Sequence, residues 1–147
     1  MIAHTIQLAL APVFVLVAIG NIMNILSTRL GRIVDRARFL QERHGVTTGA
    51  EHDIVVIEMR TIDERMVLIT TAIRNLVISG LSIGTTVAIL FVEEVAGYPL
   101  EKVGAAFFIA AIALLMWALL LVLRETRVAA AALRIPRDYL ELHREDI

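Results

Sequence analysis

The sequence contains no cysteine among its 147 residues. A disulfide framework, a thiolate nucleophile and a cysteine-bound metal are therefore excluded. The chain also lacks a Gly-x-Ser-x-Gly motif, a Gly-rich phosphate-binding loop ending in Lys-Ser/Thr, and a His-Glu-x-x-His motif. These motifs carry the chemistry of common hydrolases, nucleotide-binding enzymes and zinc proteases. The sequence therefore predicts no enzyme activity, no catalytic residues and no cofactor.

Histidines are few as well. The four histidines are dispersed along the chain, and only the middle two flank the same predicted turn; they are His4, His44, His52 and His143. A metal site needs further ligands in a fixed geometry. We therefore expect solvated histidines and no metal centre.

Long stretches of the chain have no charge. Hydrophobic residues make up 58% of the sequence and the mean hydropathy is +0.76, which is too apolar for a surface in contact with water. A helix needs roughly 20 apolar residues to cross the hydrocarbon core. We predict an all-α integral membrane protein with spans at about residues 6–28, 75–93 and 103–123. Arginines follow the first span rather than precede it, which favours a retained helix over a secretory signal.

Basic residues fall almost entirely on one side of these spans. Lys102 alone lies between the second and third spans. All the others are arginines between the first two spans or after the third: Arg29, Arg32, Arg36, Arg38, Arg43, Arg60, Arg65, Arg74, Arg124, Arg127, Arg134, Arg137 and Arg144. By the positive-inside rule this side is cytoplasmic, which places the N-terminus outside and the C-terminus in the cytoplasm. Acidic residues nearly balance the arginines there, so we predict no binding of nucleic acid.

The first two predicted helices continue beyond the membrane boundary. Apolar residues recur at alternating spacings of three and four across residues 16–40 and again across residues 55–90. This heptad pattern indicates that the first two helices extend into an antiparallel coiled-coil hairpin, cytoplasmic at about residues 29–74. The hairpin packs on itself, on copies of itself or on both, and the pattern leaves these alternatives open.

Further residues predict the structure of the turn and of the C-terminal tail. Gly45 is expected to end the first helix in the left-handed conformation, and Thr48 with Glu51 to form a capping box for the second. After the third span, residues 124–147 are expected to form a cytoplasmic helical tail, broken or bent at Pro136.

Two segments resemble a known bacterial family. They are residues 6–14 and residues 24–38, and the second carries the pattern Thr-Arg-Leu-x-Arg-Ile-Val-Asp-Arg-x-Arg. Over most of its length the chain is similar to the small membrane proteins catalogued as domain of unknown function 2721. The resemblance implies a bacterial inner-membrane protein of about this topology, and it supplies no catalytic residues.

Polar residues form a stripe on the first helix, opposite its heptad residues. The stripe consists of Asn21, Asn24, Thr28, Gly31 and Asp35, which are spaced by three or four positions, and all but Gly31 have polar side chains. Polar groups in hydrocarbon are costly unless they are paired or hydrated. We therefore expect the stripe to face the third helix, another subunit or water. One interpretation is polar contact between helices; the other is a pore, with Phe14 and Val17 as a hydrophobic gate.

Arg74 and Asn75 stand at the start of the second span. We expect them at the depth of the cytoplasmic end of the first helix, close to Asn24 or Thr28. Arginine at a helix end usually extends to the interface. A buried partner or an anion site is the alternative interpretation.

Small residues predict close approaches between helices. Gly80 and Gly84 form a GxxxG motif, which permits contact either with the first helix of the same chain or with a neighbouring chain. The third helix offers similar candidates, namely Gly104, Ala106, Ala110 and Ala113.

Together these features predict a self-associating membrane protein of structural or regulatory type, whose cytoplasmic hairpin is available to a partner. The alternative is an oligomeric ion or small-solute channel lined by Asn21, Asn24 and Thr28. The expected partners are the lipid bilayer, further copies of the chain in a homo-oligomer, and anionic lipids at the cytoplasmic arginines.

Overall fold

The structure, a computed structural model, describes residues 2–132, and these residues form three α-helices. Helix α1 comprises Ile2–His44, α2 comprises Ala50–Ala96 and α3 comprises Glu101–Ala132. Each helix is long and apolar enough to cross a membrane. The prediction of an all-helical protein with three candidate spans is therefore confirmed. Most of the predicted tail, including Pro136, lies outside the described residues.

The turn between α1 and α2 differs from the predicted one. Gly45 does not adopt a positive φ; that conformation occurs at Gly49, with φ of 65°, immediately before α2. Gly49 is the N-cap of α2 and no side chain hydrogen-bonds there, so the capping box expected from Thr48 does not form. The physical reason is a competing contact, because Glu51 forms an ion pair with Arg43 across the turn.

Large aliphatic side chains fill the contact between α1 and α2, which run antiparallel. The buried residues recur every seven positions: Ile19, Leu26, Ile33 and Leu40 in α1, and Val55, Ile62, Ile69, Leu76 and Ile83 in α2. The ion pair between Arg36 and Glu58, at 2.7 Å, joins the two helices near the turn. In each heptad one of the two apolar positions is thus buried, while the other, as at Met23 and Leu30, is partly buried.

Small and polar residues form the contact between α2 and α3. The buried residues of α3 also recur every seven positions, and they are Gly104, Ala111, Ala118 and Glu125. Ser79 Oγ donates a hydrogen bond to the backbone oxygen of Ala111 at 2.7 Å. Thr86 Oγ1 donates to the backbone oxygen of Gly104 at 3.4 Å. These contacts require the two helix backbones to lie close together, which small side chains allow.

The small residues singled out in the sequence occupy different environments. A Cβ atom at Gly80 would lie 3.5 Å from Leu16 Cδ1, so Gly80 faces α1 of the same chain. A Cβ atom at Gly84 would meet open space. Of the four candidates on α3 only Gly104 is buried, because α3 turns a different face toward α2; the exposed ones are Ala106, Ala110 and Ala113.

Candidate functional site

The polar stripe of α1 lies on the surface of the three-helix unit. Its four side chains, Asn21, Asn24, Thr28 and Asp35, are all exposed. Thr28 Oγ1 donates a hydrogen bond to the backbone oxygen of Asn24, at 3.1 Å within the same helix. The stripe therefore faces away from α2 and is not covered by α3, which removes the third helix from the three surroundings that the sequence allowed.

The two residues considered as a gate lie on the same surface. Phe14 is 70% exposed and Val17 is 58% exposed. Phe14 precedes Asn21 by seven residues and Val17 precedes Asn24 by seven, which is close to two helical turns. One continuous face of α1 therefore carries apolar residues toward its N-terminal end and polar residues toward its middle.

Arg74 and Asn75 occupy different surroundings although they are neighbours. Arg74 is exposed, whereas Asn75 is buried with 9% of its surface exposed. Adjacent residues of a helix point about 100° apart, which accounts for the difference. Within the described residues, no hydrogen bond joins either of them to Asn24 or Thr28.

A charged cluster that the sequence analysis did not identify lies where the three helices meet. The side chain of Glu125 in α3 is fully buried, at 0% exposure. Its Oε1 accepts a hydrogen bond from Arg65 Nε of α2 at 2.9 Å. Its Oε2 lies 2.6 Å from Arg29 Nη2 of α1, a close ion pair without hydrogen-bond alignment. We call these three residues the Glu125 cluster.

The seven-residue repeats bring this cluster together. Glu125 follows Ala118 by seven residues on the face of α3 that contacts α2, and Arg65 precedes Ala72 by seven residues. The α2–α3 contact therefore passes from small side chains into a charged pair where the apolar stretch of α3 ends. A buried carboxylate without opposite charge costs several kcal/mol. The two arginines supply that charge, and they come from different helices.

The cluster also shows which residues of α1 are level with Arg74. Arg29 and Arg65 contact the same carboxylate and are therefore level with each other. Arg74 lies nine residues further along α2, or about 13 Å. It is consequently about level with Asn21 of α1.

Four arginines line one cleft between the Glu125 cluster and the α1–α2 turn. The cleft has a volume of about 460 Å³ and is bounded by all three helices, with Ala129 on the α3 side. Arg36 Nε donates a hydrogen bond to Glu58 at 2.7 Å, which raises the pKa of Arg36 above its ordinary value. We call this feature the arginine cleft; its four basic residues are Arg29, Arg32, Arg36 and Arg65.

The histidines that flank the turn meet each other. The ring centroids of His44 and His52 are 4.4 Å apart. Two imidazoles alone do not make a metal centre. Among residues 2–132, no group of three or more histidine, aspartate or glutamate side chains has an arrangement that could hold a metal ion.

One signal in the sequence does mark the Glu125 cluster. Hydropathy does not reveal it, because α3 is apolar on nearly every side between residues 103 and 123. The repeat of small residues at intervals of seven does, since Gly104, Ala111 and Ala118 lead directly to Glu125. A small-residue repeat, rather than a hydrophobic one, identifies the buried face of this helix.

Three long apolar helices with charges gathered where the apolar stretches end are typical of multi-pass membrane proteins. The chain belongs to the family described as Protein of unknown function (DUF2721), whose family model matches residues 9–135. This match confirms the resemblance of the sequence. No curated protein and no solved structure matches the chain. Because the family description names no activity, a function has to be argued from the residues.

Proposed function

We propose that this chain is a self-associating bacterial inner-membrane protein of structural or regulatory type, and that it is not an enzyme. The observation that supports this proposal is the exposed stripe of Asn21, Asn24 and Thr28 within the charge-free stretch of α1. In the proposed orientation the N-terminus is outside and the α1–α2 turn is cytoplasmic, because the arginines lie on that side.

The stripe needs hydrogen-bond partners beyond those that the described part of the chain provides. Each asparagine amide offers two donors and an acceptor. Within the described residues, neither Asn21 nor Asn24 has a side-chain hydrogen bond. Lipid hydrocarbon offers no partner either. A second copy of the stripe would supply complementary amides, and each such contact stabilises helix association by about 1 kcal/mol or less.

The position of α1 leaves this surface free for another copy. Helices α1 and α3 both pack on α2, so no helix within residues 2–132 packs against the outer side of α1. The three polar side chains extend over seven residues, or about 10 Å along the helix. In two copies related by a twofold axis, the patch of one chain would pack against the same patch of the other. Such an interface is isologous.

The proposed cytoplasmic part is a coiled-coil hairpin available to a partner protein. Helix α1 continues for 15 residues beyond Arg29, which is roughly 22 Å. The aliphatic contact between α1 and α2 continues along this extension, with Ile33, Leu40, Val55 and Ile62 buried. The exposed charged side chains of the hairpin are available to select a partner.

Disulfide cross-linking tests the proposed interface directly, because the natural chain has no cysteine. The variants Asn21→Cys and Asn24→Cys are oxidised in native membranes, and covalent dimers are measured by gel electrophoresis without reductant. We expect efficient dimer formation at both positions.

Met116→Cys is the matched control. Met116 is 55% exposed on α3 and lies nine residues from Glu125, while Asn21 lies eight residues from Arg29, so the two positions have similar depth. We expect little dimer from this variant. Equal cross-linking at position 116, or none at positions 21 and 24, would contradict an interface at the stripe.

An oligomeric ion or small-solute channel is the second candidate function. It is favoured by the shared face of α1, on which the exposed Phe14 and Val17 precede the polar stripe. In a ring of copies these residues would form a hydrophobic constriction above a polar lining of Asn21, Asn24 and Thr28. Ion flux into proteoliposomes should then rise with Val17→Ser and fall with Asn24→Leu. Cross-linking at the stripe without any flux would leave self-association and remove the channel.

A further inference from the structure

The arginine cleft carries more positive charge than its carboxylates neutralise. Glu125 contacts both Arg29 and Arg65, and Glu58 contacts Arg36. Arg32 has no ion pair within the described residues. Among residues 2–132, the four guanidinium groups of the cleft thus form ion pairs with two carboxylates, which leaves an excess of two positive charges.

A buried carboxylate orients two of these arginines. Glu125 is fully buried at the floor of the contact and binds Arg29 and Arg65 simultaneously. Their side chains remain 31% and 25% exposed. Both side chains also line the cleft, so part of each is accessible from it. An arginine that is already oriented loses less conformational entropy when it binds an anion.

The cleft lies at the depth of lipid headgroups in the proposed topology. The charge-free stretches of α1 and α3 end at Thr28 and Leu123, immediately before the Glu125 cluster. From Arg29 to Arg36 is seven residues, or about 10 Å along the helix axis. A bilayer adds a polar layer of roughly 5–8 Å on each side of its hydrocarbon core. The arginines therefore span the layer that contains phosphate groups.

From these observations we propose that the arginine cleft is a binding site for a phosphate group. Guanidinium groups bind phosphate oxygens through paired, charge-assisted hydrogen bonds, which makes arginine the side chain of choice for this ligand. The phosphate is that of an anionic lipid headgroup or free phosphate. The site is built from α1, α2 and α3 of one chain, so it rests on the proposed topology only for its lipid source and is independent of self-association.

Ligand-dependent thermal unfolding of the full chain in detergent micelles tests this site. The probes are dihexanoyl phosphatidylglycerol, dihexanoyl phosphatidylcholine and inorganic phosphate, each titrated separately. A ligand that binds only the folded protein raises its unfolding temperature in a concentration-dependent manner. We expect phosphatidylglycerol to raise it well above the effect of phosphatidylcholine. An equal rise with inorganic phosphate identifies free phosphate as a sufficient ligand, whereas no rise with it identifies the lipid.

Arg32→Gln tests the residue assignment, since Arg32 lines the cleft without an ion pair to lose. Losing one charge-assisted hydrogen bond should weaken apparent affinity by about tenfold or more. Arg38→Gln is the matched control, because Arg38 is an exposed arginine of α1 outside the cleft. The affinity of this variant for the probes should not change. The proposal is overturned if no probe stabilises the protein, or if both variants bind as the natural chain does. Equal weakening by both variants also overturns it, because that result indicates a diffuse charge effect.

Discussion

In both helix contacts of this protein the buried residues recur every seven positions, but the types of residue differ. Between α1 and α2 the period is occupied by isoleucine, leucine and valine. Between α2 and α3 it is occupied by glycine, alanine, serine and threonine, and it ends in the Glu125 cluster. The first contact extends well past the apolar stretches, where burial of aliphatic surface from water stabilises it. The second lies mainly within them, where close packing and hydrogen bonds stabilise helix pairs instead.

The largest expected effect comes from removing both arginines of the Glu125 cluster. The double variant Arg29→Gln with Arg65→Gln leaves a fully buried carboxylate without opposite charge. Loss of the partner of a buried charge typically costs about 3–5 kcal/mol. We expect a loss of this size in the free energy of unfolding, measured by titrating sodium dodecyl sulfate into micelles and following helical circular dichroism.

A third substitution separates charge from shape in this cluster. Adding Glu125→Gln to the double variant should recover most of the lost stability, because no unpaired charge remains. Arg124→Gln is the control, since Arg124 pairs with exposed Glu64 at 3.4 Å; we expect it to cost less than about 1 kcal/mol. A triple variant as unstable as the double would show that side-chain shape, rather than charge pairing, holds the three helices together.

An intermediate effect is expected from enlarging a residue in the α2–α3 contact. Ala111 is fully buried and its backbone oxygen accepts the hydrogen bond of Ser79, so Ala111→Leu must push the helices apart. Overpacking of this kind costs about 1–3 kcal/mol. The same unfolding titration measures it. Ala110→Leu is the control, because Ala110 is exposed on the adjacent position and should tolerate leucine.

A volume-conserving substitution in the aliphatic contact should have a smaller effect than Ala111→Leu. Ile33 is buried against α2, and Ile33→Leu conserves its volume. Swaps of this type usually cost less than about 1.5 kcal/mol. If Ala111→Leu were tolerated as well as Ile33→Leu, the two contacts would not differ in their tolerance of size, and the close approach of α2 and α3 would be contradicted.

The smallest expected effect comes from a single hydroxyl group. Ser79→Ala removes the hydrogen bond to the Ala111 backbone oxygen, and interhelical bonds of this kind are worth about 0.6 kcal/mol on average. Ser82→Ala provides the comparison, because Ser82 bonds only to the Ile78 backbone oxygen of its own helix. A larger loss at position 82 than at position 79 would indicate that the interhelical bond contributes nothing to the fold.

The α1–α2 contact was the part most open to prediction from the sequence. Beyond the apolar stretches, the helices carry aliphatic residues on one side and polar residues on the other. The pattern of residues 33–40 and 55–62 therefore shows which side of each helix is buried. The cap at the turn was not predictable, because the ion pair of Arg43 with Glu51 depends on where the two helix ends meet. The Glu125 cluster was not predicted either, since it depends on the register between the three helices.

The three long helices follow from the amino-acid sequence, because length and hydropathy are properties of each segment alone. Three features depend on how the helices pack. They are the side of α3 that contacts α2, the contacts of Glu125 with Arg29 and Arg65, and the outward direction of Asn21 and Asn24. The reason is physical. A helix that is apolar on every side has no hydrophobic gradient to show which face is buried, so its neighbours are selected by close packing and charge pairing, which exist only between helices.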